Sequence, residues 1–439
     1  MSEILESYAG GRWVAGTGEG REVRDAVTGE TVTRVSSEGI DLGGVVAHAK
    51  AKGGPSLRAM TFPERAAALK AAAGAVQAGK DRLYELSAQA GCTARDAAVD
   101  VDGGIGTAMV YSSLGRKGLP DGTVIVEDDF IQLGKEGVFG GRHVLTSPHG
   151  LSLQINAFNF PVWGMLEKLA PALLAGVPTI VKPATPTAHI AVEAVRMMIE
   201  SGALPEGALQ IVAGSIPGLF DELGGRDHIG FTGSADTAAM LRGDAAVTRR
   251  SAHFNAEADS LNASVLGPDA VPGEPEFDLF VKALVTEMTV KAGQKCTAIR
   301  RALVPAAQMD AVAEAVAARP GGIGIGAPGA EGCAWAPSSG PTSVTTCAPP
   351  RPASRRPGRS STATSSVSTS SAPTRTRAPS CRPSSCASTT PTGPSRTRSR
   401  PSVRSARSSG TATSSTPSSC WPGAKGALPA PSSRPTRTS

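Results

Sequence analysis

The spacing of apolar positions along the chain changes several times, and each change marks an element. Residues 1–36 alternate short β-branched and polar runs (GRWVAG, REVRDAVTGETVTRV) between glycine-rich turns, which predicts a small antiparallel lead-in. At Thr61 the period lengthens to that of a helix. Thr61 and Glu64 stand at capping-box spacing, Pro63 takes the first helical position, and the run to Gly91 keeps helical periodicity. Residues 98–116 read as a second helix softened by glycines, and 120–156 return to strand runs (TVIVEDD, FIQLGKE, RHVLTS, LSLQINAF).

Helical stretches then alternate with short buried strands: WGMLEKLAPALLAG before PTIVKPA, HIAVEAVRMMIESG before ALQIVAG, GLFDELGG before HIGFTGS. Such alternation predicts an α/β fold, a parallel sheet with helices on both faces and ligand-binding loops at the strand C-termini. Residues 260–332 add strand (ASVLG), helix (FDLFVKALVTEMTVKAG), strand (RRALVP) and helix (QMDAVAEAVAAR).

After Gly332 the pattern stops. Residues 333–439 are mostly Ala, Pro, Ser, Thr, Arg and Cys, with one leucine and neither isoleucine nor phenylalanine, a composition that predicts a disordered basic tail. The tail changes the meaning of the charge. It holds fourteen arginines, one lysine and no acid, so residues 1–332 carry 29 basic against 38 acidic residues and the net +6 averages two unlike parts. The body has two of the seven cysteines, Cys92 and Cys296, too few and too far apart for a disulfide framework. With no basic and apolar leader in MSEILESYAGGRW and no run of eighteen apolar residues, the expectation is a cytoplasmic protein without a membrane span.

The candidate chemistry centres on Lys291–Arg301, KAGQKCTAIRR. Cys296 follows a small, flexible turn and has Lys291, Lys295, Arg300 and Arg301 within five residues, and cations of that kind lower a thiol pKa and favour the attacking thiolate. Upstream stand Asn159 in NAFNFPVWG, Lys182 in TIVKPAT, Gly233 in HIGFTGS and Glu257 in FNAEADSLN.

Together with SEGIDL, LRAMTFPERAAALK, INAFNFPVWGMLEKLAP, AEADSLN and EMTVKAGQKCTAIRR, these residues resemble the aldehyde dehydrogenase superfamily over about residues 5–332. Within it the chain resembles the dehydrogenase half of the bifunctional phenylacetate-degradation proteins, which join a semialdehyde dehydrogenase to an enoyl-CoA-hydratase-like domain. The resemblance implies a Rossmann-type cofactor domain in 1–130 and 151–258, an oligomerisation hairpin in 131–150 and the first part of a catalytic domain in 259–332.

It also implies roles. Cys296 forms a thiohemiacetal and then a thioester, Asn159 and the Cys296 N–H stabilise the oxyanion, and Glu257 activates the hydrolytic water. Lys182, Thr185, Gly214, Phe231, Thr232, Gly233 and Ser234 contact NADP or NAD. Thr185 stands where relatives that prefer NAD often carry an acid, which tilts the expectation to NADP. The implied substrate is a CoA-linked aliphatic semialdehyde.

The tail has a second reading. Legal codons for Cys333–Gly340, read two bases later, encode Arg-Met-Gly-Ala-Leu-Val-Gly, and those for Thr397–Arg404 in the same shifted frame encode Glu-Val-Glu-Ala-Phe-Gly-Pro. Both segments fit the family, so 333–439 reads as a frameshifted continuation. The family's ribose-binding glutamate, remaining sheet and C-terminal oligomerisation strand are then missing, and activity and assembly are expected to be impaired. The competing expectations are an inactive pseudo-enzyme, a dehydrogenase that releases acyl-CoA, and a protein whose basic tail binds nucleic acid.

Overall fold

Four expected strands, β7 (Ser152–Ile155), β8 (Thr179–Lys182), β9 (Leu209–Ile211) and β10 (His228–Gly233), lie side by side and parallel with a fifth that the sequence reading did not assign, β11 (His253–Ala258). The lead-in extends this sheet: β1 (Glu6–Ala9) pairs antiparallel with β9 and with β2 (Arg12–Ala15), giving the order β11-β10-β7-β8-β9-β1-β2. A separate antiparallel pair follows, β3 (Arg21–Arg24) with β4 (Thr31–Val35). The computed structural model describes residues 3–319, 324–330 and 333–335.

Both faces of the sheet are buried, which explains why the central strands carry apolar side chains at consecutive positions. Ile180 packs into one core with Leu153, Val212 and Ile229, and its neighbour Val181 into the opposite core with Leu169, Val192 and Ile211. The second core is roofed by α3 (Phe62–Ala78), α5 (Ala94–Lys117), α6 (Trp163–Leu174) and α7 (Ala188–Glu200). The capping box forms as expected: Thr61 N–H donates to Glu64 Oε2 at 2.7 Å and Glu64 N–H to Thr61 Oγ1 at 3.4 Å.

Several boundaries differ from the sequence reading. The long helix from Thr61 breaks at Gly79, giving α3 and then α4 (Lys80–Gln89), and GLFDELGG makes only a 3-10 turn over Leu219–Glu222. Helices α1 (Leu42–His48) and α2 (Gly54–Ala59), joined by a π-helical turn, lie where no element was expected. Gly43, Gly44, Gly53 and Gly54 lower the local helix propensity, but a Cβ on Gly53 would meet the Gly207 carbonyl oxygen at 2.1 Å. Tertiary contact, which leaves no mark on local periodicity, sets that helix.

The glycines of α5 have the same kind of cause. A Cβ at Gly104 would stand 2.8 Å from Trp163 Cα, at the start of α6. Gly104→Ala is expected to destabilise the fold by up to about 2 kcal/mol, because overpacking costs about 1–3 kcal/mol and the helix gains only about 1 kcal/mol. Denaturant unfolding of the variant checks this.

The hairpin expected in 131–150 is formed by β5 (Val124–Gln132) and β6 (Gly140–Thr146), so it begins inside the segment assigned to the cofactor domain. It is apolar and open, with Phe130, Val138 and Phe139 each more than 60% exposed. Beyond β11, a third core of Leu266, Phe277, Phe280, Val281, Leu284 and Val312 gathers around β12 (Ala263–Val265), β13 (Arg301–Leu303), α10 (Pro275–Thr289) and α11 (Met309–Ala318). Strands β12 and β13 form only a two-stranded parallel sheet. Of the basic stretch, Cys333–Trp335 pairs with Gly324–Ile325, and the expectation for 336–439 lies outside the described residues.

Candidate active site

Because β7 to β11 are parallel, the loops that follow them emerge at one edge of the sheet. Three consecutive strands, β7, β8 and β9, run outward on one side, and the chain then returns to place β10 and β11 on the other side of β7. The crevice between β7 and β10 is therefore a topological switch point, where open parallel sheets bind ligands. Asn156 and Asn159 follow β7, Lys182 ends β8 with Thr185 in the turn after it, Gly214 follows β9, and Thr232 and Gly233 end β10 with Ser234 just after it.

Two of the expected catalytic residues, Glu257 and Asn159, are placed at the loop that carries the third, Cys296. Glu257, next to the end of β11, lies beside the Cys296 thiol and helps to raise its pKa. Asn159 Nδ2 donates to the Gln294 carbonyl at 2.7 Å, two residues before Cys296. An amide nitrogen carries two hydrogens, so this bond leaves one N–H for another acceptor. Asn262, absent from the expected site, clamps the far side of the loop: its Nδ2 donates to the carbonyls of Cys296 at 2.6 Å and Ala298 at 3.2 Å. Its only sequence signal was a place in AEADSLN.

The turn before Cys296 is strained rather than flexible. Lys291 and Ala292 both have φ of 51°, and Gly293 has 73°. For the two non-glycine residues that left-handed region costs roughly 1–2 kcal/mol each, so outside contacts must hold the turn. One is Asp96, whose carboxylate accepts the Lys291 N–H at 2.9 Å.

The electrostatics reverse the sequence expectation. All four flanking cations are engaged elsewhere. Lys291 is buried, with Nζ 3.6 Å from Cys92 Sγ and 4.6 Å from the Phe160 ring centroid. Lys295 pairs with Glu287 at 2.7 Å, Arg300 donates to the Gly293 and Lys295 carbonyls, and Arg301 to that of Leu261. The charge that touches the thiol is Glu257. Burial first and Glu257 second push the Cys296 pKa up, and the backbone N–H groups of Thr297 and Cys296 offset this only in part. Cys296 is thus a thiol beside a base, exposed at the surface of the cleft.

The residues expected to hold a cofactor fit one unevenly. At the end of β10, a Cβ on Gly233 would strike the Phe231 ring at 2.5 Å, so glycine leaves a hollow there. Phe231 itself is buried and stacks on Phe254 at 6.5 Å, which makes it a floor to that hollow. Thr232 Oγ1 and both amide atoms of Asn156 are buried without a protein partner, as polar groups awaiting a ligand would be. Ser234 caps α8 (Ala235–Arg242) by accepting the Thr237 N–H at 3.3 Å. Thr185 opens a 3-10 turn after Lys182, whose pKa is pushed down by burial and then by the Arg21 guanidinium. Gly214 has a packing reason instead: a Cβ there would stand 2.8 Å from Ser37 N.

Comparison with known proteins agrees with this architecture. The sequence profile of the aldehyde dehydrogenase family matches residues 13–347. A 3,4-dehydroadipyl-CoA semialdehyde dehydrogenase of Aromatoleum evansii is 49% identical over 329 residues, covering 75% of this chain and 64% of that protein. An alpha-ketoglutarate semialdehyde dehydrogenase of Haloferax volcanii is 28% identical, covering 69% of this chain and 61% of that one. The chain thus spans less than two thirds of either relative. The crystal structure of an E. coli NADP-dependent enzyme superposes with a TM-score of 0.68 at 21% identity, covering 78% of this chain and 68% of that one, which shows the shared fold. With a matched profile over three quarters of its length and a relative at 49% identity, this chain belongs to the aldehyde dehydrogenase family.

Proposed function

We propose that the chain is the dehydrogenase part of an enzyme that oxidises an aldehyde to its acid, using NAD(P). The observation that carries this is the placement of Glu257 beside the Cys296 thiol, with Asn159 held across the same loop. Glu257 takes the thiol proton as the Cys296 sulfur bonds to the carbonyl carbon, giving a thiohemiacetal. The developing oxyanion meets the second N–H of the Asn159 amide, an interaction worth most where it forms only with the charge. A bound nicotinamide supplies the acceptor for the hydride that leaves that carbon. Cys296 is then a thioester. Glu257, once it has released the thiol proton to solvent, deprotonates the water that hydrolyses the thioester and passes that proton to the leaving sulfur, returning the acid and the free thiol. A base in contact with the sulfur favours hydrolysis over transfer to a second thiol.

The hollow at Gly233, the orphaned Thr232 hydroxyl and the Asn156 amide support a dinucleotide at the switch point. Lys182 with Arg21 nearby and a neutral Thr185 favours a 2′-phosphate, hence NADP. The substrate class is a CoA-linked aliphatic semialdehyde, in line with the name of the relative from Aromatoleum evansii. Residues 131–150 with the strand before them serve oligomerisation, and 333–439 is the out-of-frame continuation of a catalytic domain that starts at 259. That continuation leaves the chain impaired. Among the described residues no helix is long and apolar enough to cross a membrane.

The test is NADP reduction driven by a CoA-linked semialdehyde and by the free aldehyde, with Cys296→Ser beside each. The serine variant is expected to lose at least about 10³-fold in kcat, as removal of a covalent nucleophile does. Retention of turnover in that variant would sink the proposal.

A further inference from the structure

We propose that Asp96 and Asp100, one helical turn apart on the buried side of α5, are positioning residues that hold the Cys296 loop and the Asn159 loop in register. The inference rests on the function proposed above and adds to it. Residues four apart on a helix stand one above the other, so the two carboxylates address neighbouring segments from one rigid element. Asp96 Oδ1 accepts the N–H of Lys291, and its Oδ2 accepts the Thr93 hydroxyl at 2.9 Å. Asp100 accepts the N–H groups of Trp163 at 2.8 Å and Val162 at 3.3 Å.

These contacts close a ring. From Lys291 the strained turn leads to Gln294, whose carbonyl accepts Asn159 Nδ2, and from Asn159 the chain leads to Val162 and back to Asp100. The Lys291 ammonium lies inside the ring, facing Cys92 and the Phe160 ring, and its charge favours the Asp100 carboxylate. Burial pushes the Asp100 pKa up to about 6, and Lys291 and the two backbone donors hold it from rising further. Two acids at 4% and 1% exposure are a costly choice for a helix core unless their hydrogen bonds are used. Neither acid touches the reacting atoms. Their effect on chemistry passes through the loops that they hold.

The test reads Cys296 directly. Iodoacetamide alkylation of the full chain is followed across pH by peptide mass mapping, which separates Cys296 from the other cysteines, and thermal melting is recorded beside it. In Asp96→Asn and Asp100→Asn the Cys296 midpoint is expected to fall toward an ordinary thiol value, raising the rate at pH 7 about three- to tenfold. Glu257→Gln, which lowers the midpoint in the native chain, is expected to have no further effect in the Asp96→Asn background.

An unchanged Cys296 profile with a retained Glu257 response in both asparagine variants would overturn the proposal, even if the melting temperature falls. Should neither variant fold, Thr93→Val decides by the same criteria, since it loosens Asp96 without deleting it. Alkylation needs no turnover, so a chain without dehydrogenase activity still gives the answer. A native midpoint that ignores Glu257→Gln would count instead against the proposed catalytic pair.

Discussion

Glu257→Gln is expected to make Cys296 more reactive toward alkylating agents while nearly abolishing aldehyde oxidation. The two effects have opposite signs because Glu257 does two things. As a carboxylate in contact with the thiol, it opposes a second negative charge and so raises the Cys296 pKa, along with burial. Glutamine keeps the shape and removes the charge, so the thiol ionises at lower pH. The thiolate fraction near neutrality, and with it the alkylation rate, is therefore expected to rise. As a base, however, Glu257 accepts the thiol proton and later activates water, and losing such a group costs about 10²–10⁴-fold in kcat. Alkylation mapped to Cys296 and steady-state NADP reduction measure the two sides on the same preparation. Parallel loss of both would mean that Glu257 merely supports the loop.

Restoring the shifted reading frame after Gly332 is expected to raise dehydrogenase activity by at least about 10³-fold, the scale of a lost electrostatic contact to the reacting centre. The physical reason lies in what the catalytic segment exposes. Val265 on β12, Leu303 on β13 and Leu279 and Met288 on α10 are each 46–71% exposed, around a core of seven buried residues. A two-stranded parallel sheet with such faces is marginal, because neighbouring strands normally cover it. The shifted frame would supply further sheet and the glutamate of Glu-Ala-Phe-Gly-Pro, which the family resemblance places at the nicotinamide ribose. Both chains can be assayed with the same CoA-linked semialdehyde. Equal activity in the two would refute the frameshift account and return the basic stretch to consideration as a functional tail.

The chain's local chemistry made much of the fold legible. Short apolar strands and helical repeats between 151 and 233 announced a parallel sheet, and Thr61 with Glu64 announced a helix start, because periodicity and capping depend on near neighbours. Family motifs named Cys296, Glu257 and Asn159, which the structure places at one loop, Glu257 beside the thiol and Asn159 on the Gln294 carbonyl. Helices α1 and α2 were not legible, since their glycines weaken a helix locally, while Gly53 in the turn between them is required by Gly207, more than 150 residues away.

The thiol's environment was misread for a related reason. Sequence proximity placed four cations around Cys296, but charge acts through space, and each cation turned to a nearer acceptor or a buried site. By itself the sequence determined most of the elements and the family and nominated candidate reacting groups, all of which depend on residue type and short spacing. Only the tertiary structure decided that burial and then Glu257, rather than a flanking lysine or arginine, act on the thiol, and that α5 reaches both loops. Those facts depend on long-range closure, which brings Asp96 to Lys291 across 195 residues of chain.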